Sequence, residues 1–167
     1  MAGECEIESL AIVDDSNELE EFRRVLDADK WVEEFNIGEI IFGFPNVREE
    51  IKRDLKKINE RTKREIKLIF VNGREEVTKA VKNALMKILN VNNGLECSRG
   101  KLIQDNLDIN TELDILVKIG AETAPNCFIW QSSYAELFYV DDWGSLDREK
   151  IQEIINEFKE RERRFGR

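Results

Sequence analysis

The side chains in this sequence that can do chemistry are few in kind. There is no histidine, which removes Ser–His and Cys–His nucleophile pairs and histidine-ligated zinc. The cysteines, Cys5, Cys97 and Cys127, stand apart from one another, so neither a disulfide framework nor a CxxC metal clip can form. Carboxylates, cationic side chains, hydroxyls and backbone amides remain. They gather just after apolar runs, at Asp14-Asp15-Ser16, Phe44-Pro45-Asn46, Asn72-Gly73 and Gly120-Ala121-Glu122. Carboxylates beside small residues suit an anionic ligand held through magnesium. The same residues also serve as ordinary helix caps and turns.

The apolar runs that precede these points are Leu10–Val13, Glu39–Phe44, Ile66–Val71 and Asp114–Ile119. They do not alternate with polar residues, which predicts strands covered on both faces and hence a parallel sheet. Helical stripes lie between them. Leu19, Phe22, Val25 and Leu26 follow a capping-box-like Asp15–Glu18. Val47, Ile51, Leu55 and Ile58 follow Pro45, and Val77, Val81, Leu85 and Ile88, with Ala80 and Ala84, follow Asn72-Gly73. Strand and helix in alternation predict an α/β fold, an open, mostly parallel sheet flanked by helices, with ligands beyond the carboxyl ends of its strands. Residues 90–110 read as irregular, with a short strand around Lys101–Ile103. A last helix is expected from an N-cap at Ser145, with Asp147 in its first turn and Ile151, Ile154, Ile155 and Phe158 buried. Carried to Arg164, it is about 25 Å long. The whole of 1–167 reads as one domain: a strand-and-helix half (1–89), the irregular stretch, and a carboxyl-terminal part (111–167).

Composition narrows the partners. Apolar residues make up 41% of the chain and charged residues 37%, with a net charge of −9. Dense interleaved charge of this kind suits a thermophile-like protein. No basic run escapes interleaved acids, which argues against nucleic acid. No stretch approaches eighteen apolar residues, and the amino terminus lacks a signal-peptide core. A soluble, cytoplasmic protein is expected, with membrane contact limited to the surface.

One segment departs from this texture. From Asn126 to Tyr139 the only charge is Glu136, set among Phe128, Trp130, Tyr134, Phe138 and Tyr139. The run Ile115–Arg167, "ILVKIGAETAPNCFIWQSSYAELFYVDDWGSLDREKIQEIINEFKERERRFGR", resembles the carboxyl-terminal end of the cis-prenyltransferases, the undecaprenyl diphosphate synthase family. That family ends with a strand into R-x-G-G-E, a polar turn, F-L-L-W-Q-x-x-Y-A-E-L-x-F, a W-P turn and a helix closing on R-E-R-R-F-G. Upstream, "LAIVDD" is similar to its first strand and I-M-D, and "FGFPNV" is a shortened echo of A-F-S-x-E-N-W.

The resemblance implies condensation of isopentenyl diphosphate onto an allylic diphosphate, with Mg2+ and cationic side chains neutralising the two diphosphates. Asp14 matches the catalytic aspartate of D-G-N-G-R, and Asp14 and Glu122 would be the magnesium carboxylates. Lys118 stands at the diphosphate-binding arginine, keeping the charge without the planar fork. Gly120 keeps the close backbone approach, and Asn46 is what remains of S-x-E-N-W. Asp15-Ser16-Asn17-Glu18 replaces a glycine-rich phosphate cradle, and Thr123-Ala124-Pro125-Asn126 lacks the family's arginine and serine. Phe128, Trp130, Tyr134, Leu137 and Phe138 are expected on a helix packed against its symmetry mate, as dimer-facing or core residues. Lys118-Ile119-Gly120 and Arg164-Phe165-Gly166 also resemble the K-x-G and terminal R-x-G of Nogo-B-receptor-type accessory subunits. In that case Arg164 and the Gly166 amide bind diphosphate in a partner's site.

Three functions follow. The first is a non-catalytic or weakly active subunit of polyprenyl diphosphate biosynthesis, paired with a catalytic cis-prenyltransferase chain. The second is a self-sufficient Mg2+-dependent homodimer making short prenyl diphosphates. The third, a non-enzymatic α/β phosphate-binding or signalling module of the receiver kind, requires an aspartate after the third strand, where this chain has Asn72.

Overall fold

The computed structural model describes residues 7–15, 24–90, 99–120 and 122–161. Five strands make one sheet: β1 (Ile7–Asp14), β2 (Ile37–Gly43), β3 (Ile66–Ile69), β4 (Ile115–Ile119) and β5 (Glu136–Val140). Every neighbouring pair is parallel, in the order β3-β2-β1-β4-β5. The helices are α1 (Arg24–Phe35), α2 (Glu49–Asn59), α3 (Gly73–Asn90), α4 (Arg99–Gln104) and α5 (Arg148–Glu160). The chain first builds outward from β1 to β3, then returns to add β4 and β5 on the other side of β1. The strand order therefore reverses between β1 and β4, the place where open α/β sheets bind ligands.

Both faces of the sheet are buried, which is why its strands lack polar alternation. Leu10, Ile12, Phe42, Val117 and Phe138 face α1, α2 and α5, where they meet Val25, Trp31, Leu55, Ile151 and Ile155. Ala11, Val13, Ile41 and Leu116 face the other way, onto Ile109, Leu113, Cys127 and Phe128. Each buried aliphatic side chain contributes about 1.5–3 kcal/mol. The second face packs closely at Gly43: a Cβ there would lie 2.7 Å from Phe128 Cε2 and 2.9 Å from Cys127 Sγ.

The structure corrects several expectations. The aromatic segment is not a helix. It makes a 3-10 turn at Gln131–Ser133 and then β5, whose alternation sends Phe138 and Val140 to one face and Leu137 to the other. Lys101–Ile103 lies in α4 rather than in a strand. Asp147, not Ser145, caps α5, accepting from the Lys150 amide, while Ser145 donates to Asp142 Oδ1. Helix α5 ends at Glu160, where Arg161 turns extended. In α1 the buried stripe is Val25, Ala28, Trp31 and Phe35; Leu26 is exposed, and Leu19 and Phe22 lie outside the described residues. Helix α3 is turned by one position, burying Gly73, Glu76, Ala80 and Ala84 and leaving Leu85 and Ile88 exposed. Its small residues allow close approach to the chain beneath, and Glu76 fixes the rotation by accepting from the Ile109 amide.

Candidate functional site at the strand ends

Consecutive residues of a strand point to opposite faces, so Asp14 and Asp15 divide the site between them. Asp14 is 3% exposed and faces the aromatic side. Its Oδ2 accepts a 2.6 Å hydrogen bond from Trp143 Nε1. The Trp143 ring stacks on Phe42 and Phe44, with centroids 6.2 and 6.1 Å away. The indole thus gives Asp14 a donor beside the Phe42 and Phe44 rings, as buried tryptophan N–H groups require an acceptor.

Asp15 faces the other side and ties three loops together. Its carboxylate lies 3.2 Å from Lys118 Nζ and accepts the Asn126 amide at 3.3 Å on each oxygen. Its carbonyl accepts from Asn46 Nδ2 at 2.9 Å. Lys118 is held in turn: its side chain is 4% exposed, and Nζ also donates to the Ile119 carbonyl at 3.0 Å. Gly120 follows with φ +89°, a conformation that favours glycine. Its amide donates to the Val140 carbonyl at 2.8 Å.

The structure therefore brings together Asp14, Asn46, Lys118 and Gly120 of the expected site. Glu122 is exposed beyond the turn, and Arg164 and Gly166 lie outside the described residues. Of the five aromatic and aliphatic residues expected to be dimer-facing or core, Phe128 and Phe138 are buried within the chain. Trp130 and Leu137 are half-buried, and Tyr134 is 64% exposed. Asn72-Gly73 acts as a helix start: Asn72 Oδ1 accepts from the Arg74 amide, and the Gly73 amide donates to the Asn126 carbonyl. Sequence reasoning missed Trp143 and Asn126. A tryptophan just beyond the last strand, needing an acceptor for its N–H, was the available signal for the first; a backbone donor such as Asn126 leaves none.

Two further groups are buried behind the site. Glu76 Oε1 accepts from the Ile109 amide and from Gln131 Nε2, while Glu76 Oε2 and Gln131 Oε1 have no hydrogen-bond partner among the described residues. Burial raises the Glu76 carboxyl above its ordinary value, opposed by the Ile109 and Gln131 hydrogen bonds, while Asp108 raises it by its charge and lowers it through its backbone amide. Burial, with the Glu76 charge beside it, pushes the Cys127 thiol up to about 12, which makes it inert. A cleft of about 1160 Å³ opens at the opposite end of the sheet, beside Glu8, Asp114, Trp130 and Tyr134, away from these strand ends.

Magnesium is usually held by one or two carboxylates completed by substrate phosphates and water. Among the described residues no group of three or more metal-ligating acids or thiols gathers, and an indole N–H occupies Asp14 Oδ2.

Fold and site together define an open parallel α/β domain with charged side chains converging at the switch point of its sheet. A family model described as "Putative undecaprenyl diphosphate synthase" matches residues 18–166, and the chain belongs to that family, the cis-prenyltransferases. It is 30% identical over 158 residues to the geranylgeranyl-diphosphate-specific tritrans,polycis-undecaprenyl-diphosphate synthase of Pyrococcus furiosus, covering 89% of this chain and 60% of that one. It is 35% identical over 100 residues to the farnesyl-diphosphate-specific ditrans,polycis-undecaprenyl-diphosphate synthase of Buchnera aphidicola, covering 58% of this chain and 40% of the other. The chain thus spans only about 40–60% of the length of these relatives. In fold it is similar to a probable undecaprenyl diphosphate synthase from Campylobacter jejuni, at TM-score 0.69 and 20% identity, with 97% and 99% of the two chains covered. It is also similar to lavandulyl diphosphate synthase from Lavandula x intermedia, at TM-score 0.71 and 13% identity, with 96% and 98% covered.

Proposed function

We propose that this chain is a non-catalytic or weakly active cis-prenyltransferase subunit, supplying diphosphate-binding and dimer contacts to a catalytic chain that makes polyprenyl diphosphates. The observation that carries the reading is Asp14. The family's catalytic carboxylate is present, but it is 3% exposed and serves as the acceptor for Trp143 Nε1, with no cluster of acids around it among the described residues. A lysine in place of the arginine at Lys118 loses the bidentate grip on a diphosphate. Both departures lower the capacity of this site to stabilise a leaving diphosphate.

In the partnered state, Arg164 and the Gly166 amide bind diphosphate oxygens across the interface, and Mg2+ belongs to the partner's site. Trp130, Tyr134 and Leu137, each with surface left over in the single chain, are the interface residues. Interface cores are enriched in such side chains. The work takes place in the cytoplasm at the membrane surface, where long prenyl products partition; among the described residues no helix is long and apolar enough to cross a membrane.

The test is co-expression with a family member that carries an intact D-G-N-G-R, followed by isopentenyl incorporation assays on the complex. The complex should exceed the partner alone, and Arg164→Ala should remove that gain. Failure to form a complex, or a gain that Arg164→Ala leaves intact, contradicts the reading. Trp130→Ala should weaken association in light scattering.

A further inference from the structure

The geometry points to Asp15 as an internal occupant of the anion position at the ends of β1 and β4, so that a diphosphate reaches Lys118 only by displacing this carboxylate. The proposal rests on the reading of these strand ends as a diphosphate site, and it adds how that site is closed.

A buried ammonium must be paired. Lys118, with a side chain 4% exposed, has the Asp15 carboxylate at 3.2 Å and the Ile119 carbonyl at 3.0 Å. The carbonyl is neutral, so Asp15 supplies the compensating charge. The same carboxylate collects the Asn126 amide on both oxygens. A cation and a backbone N–H converging on one anion form the donor set that phosphate oxygens use. Here that set is spent on the chain's own carboxylate.

The occupant is also fixed in place. Asn46 Nδ2 holds the Asp15 carbonyl, and the paired strand beneath fixes Asp14 against Ile119. The carboxylate is thus delivered to Lys118 with little freedom left to lose, whereas an incoming anion must lose its own. A diphosphate approaching the pair also meets a like charge at close range before it gains the ammonium. The two ends of the contact come from the residue after β1 and from β4, on either side of the strand-order reversal. Asp15 therefore closes the place where the topology would otherwise leave a ligand crevice.

The test measures binding of inorganic diphosphate by calorimetry and thermal shift. Asp15→Asn should bind about ten- to a hundredfold more tightly than the parent chain, the range set by a hydrogen bond to a charged group. Adding Lys118→Met to Asp15→Asn should abolish the gain. Asp15→Asn leaves an unpaired ammonium and so destabilises the fold; diphosphate should restore its melting temperature far more than it raises that of the parent. Lys118→Arg keeps a partner for Asp15 and offers further donors, so it should stay folded and bind more tightly than the parent. Equal, tight binding by parent and Asp15→Asn would overturn the internal occupant while leaving a diphosphate site in place. No binding by parent, Lys118→Arg or a folded Asp15→Asn would remove the diphosphate site and the proposal with it. An Asp15→Asn chain that diphosphate cannot refold, together with a Lys118→Arg chain no better than the parent, also overturns it.

Discussion

Replacing Glu76 by glutamine should stabilise this protein, and by an amount that depends on pH. Glu76 is 2% exposed. One carboxyl oxygen is bonded to the Ile109 amide at 3.2 Å and Gln131 Nε2 at 3.3 Å, and the other is buried with no hydrogen-bond partner among the described residues. Asp108, paired with Lys79 at 3.0 Å, and the Cys127 thiol are the neighbouring titratable groups. Burial raises the Glu76 carboxyl above its ordinary value. The native state therefore holds its proton more tightly than the unfolded chain does. The stability linked to that proton is fully present below the unfolded-state pKa and is lost as pH rises through the native one. Well above that window the parent carries a buried, under-bonded acceptor, at a cost of about 1–3 kcal/mol. Glutamine keeps an oxygen for Ile109 and Gln131 and removes the charge. Recovering about 1–2 kcal/mol would raise the melting temperature by about 2–8 °C near pH 8 in a domain of this size. The gain should shrink toward zero as pH falls well below the ordinary carboxylate value, where both states of the parent are protonated. Circular dichroism melts of both chains across that range decide the matter. A less stable glutamine variant near neutrality, or a difference that ignores pH, would refute the reasoning.

Other outcomes follow from the same contacts. Trp143→Phe keeps the stack on Phe42 and Phe44 but strips Asp14 Oδ2 of its 2.6 Å donor; urea unfolding should show a loss of about 1.5–3 kcal/mol. The loss should largely vanish in an Asp14→Leu background. Gly43→Ala puts a Cβ 2.7 Å from the Phe128 ring and should cost about 1–3 kcal/mol by overpacking, with lowered thermal stability as the readout. Cys127, its thiol pushed up to about 12, should resist alkylation near neutral pH until the chain is unfolded. Peptide mass spectrometry would report its modification separately from Cys5 and Cys97, and rapid labelling of the native thiol would contradict the packing.

Four strands were legible in the sequence because burial on both faces leaves a continuous apolar run. The fifth was not, because Glu136–Val140 sits in an aromatic stretch that the family likeness renders as a helix. Alternation of Leu137 against Phe138 was the only local sign of a strand. Turn chemistry placed the cap at Ser145 and put Asp147 inside the first turn, whereas Asp147 is the cap and Ser145 is bonded to Asp142. The rotation of α3 depends on Glu76 reaching the Ile109 amide, a contact between distant parts of the chain that helical periodicity does not encode. In the site, Asp14, Asn46 and Gly120 were found from their places at strand ends, and Lys118 from the family likeness. That Asp14 is bonded to Trp143, and Asp15 to Lys118 and Asn126, depends on strand order and register. Those are settled by packing rather than by spacing.

The central claim, that the chain's own side chains occupy its strand-end site, is tested most directly by turnover of the purified chain alone. Labelled isopentenyl diphosphate, farnesyl diphosphate and Mg2+ should yield little or no prenyl product, and Asp14→Ala should leave that baseline unchanged. Robust synthesis that Asp14→Ala abolishes would contradict the account.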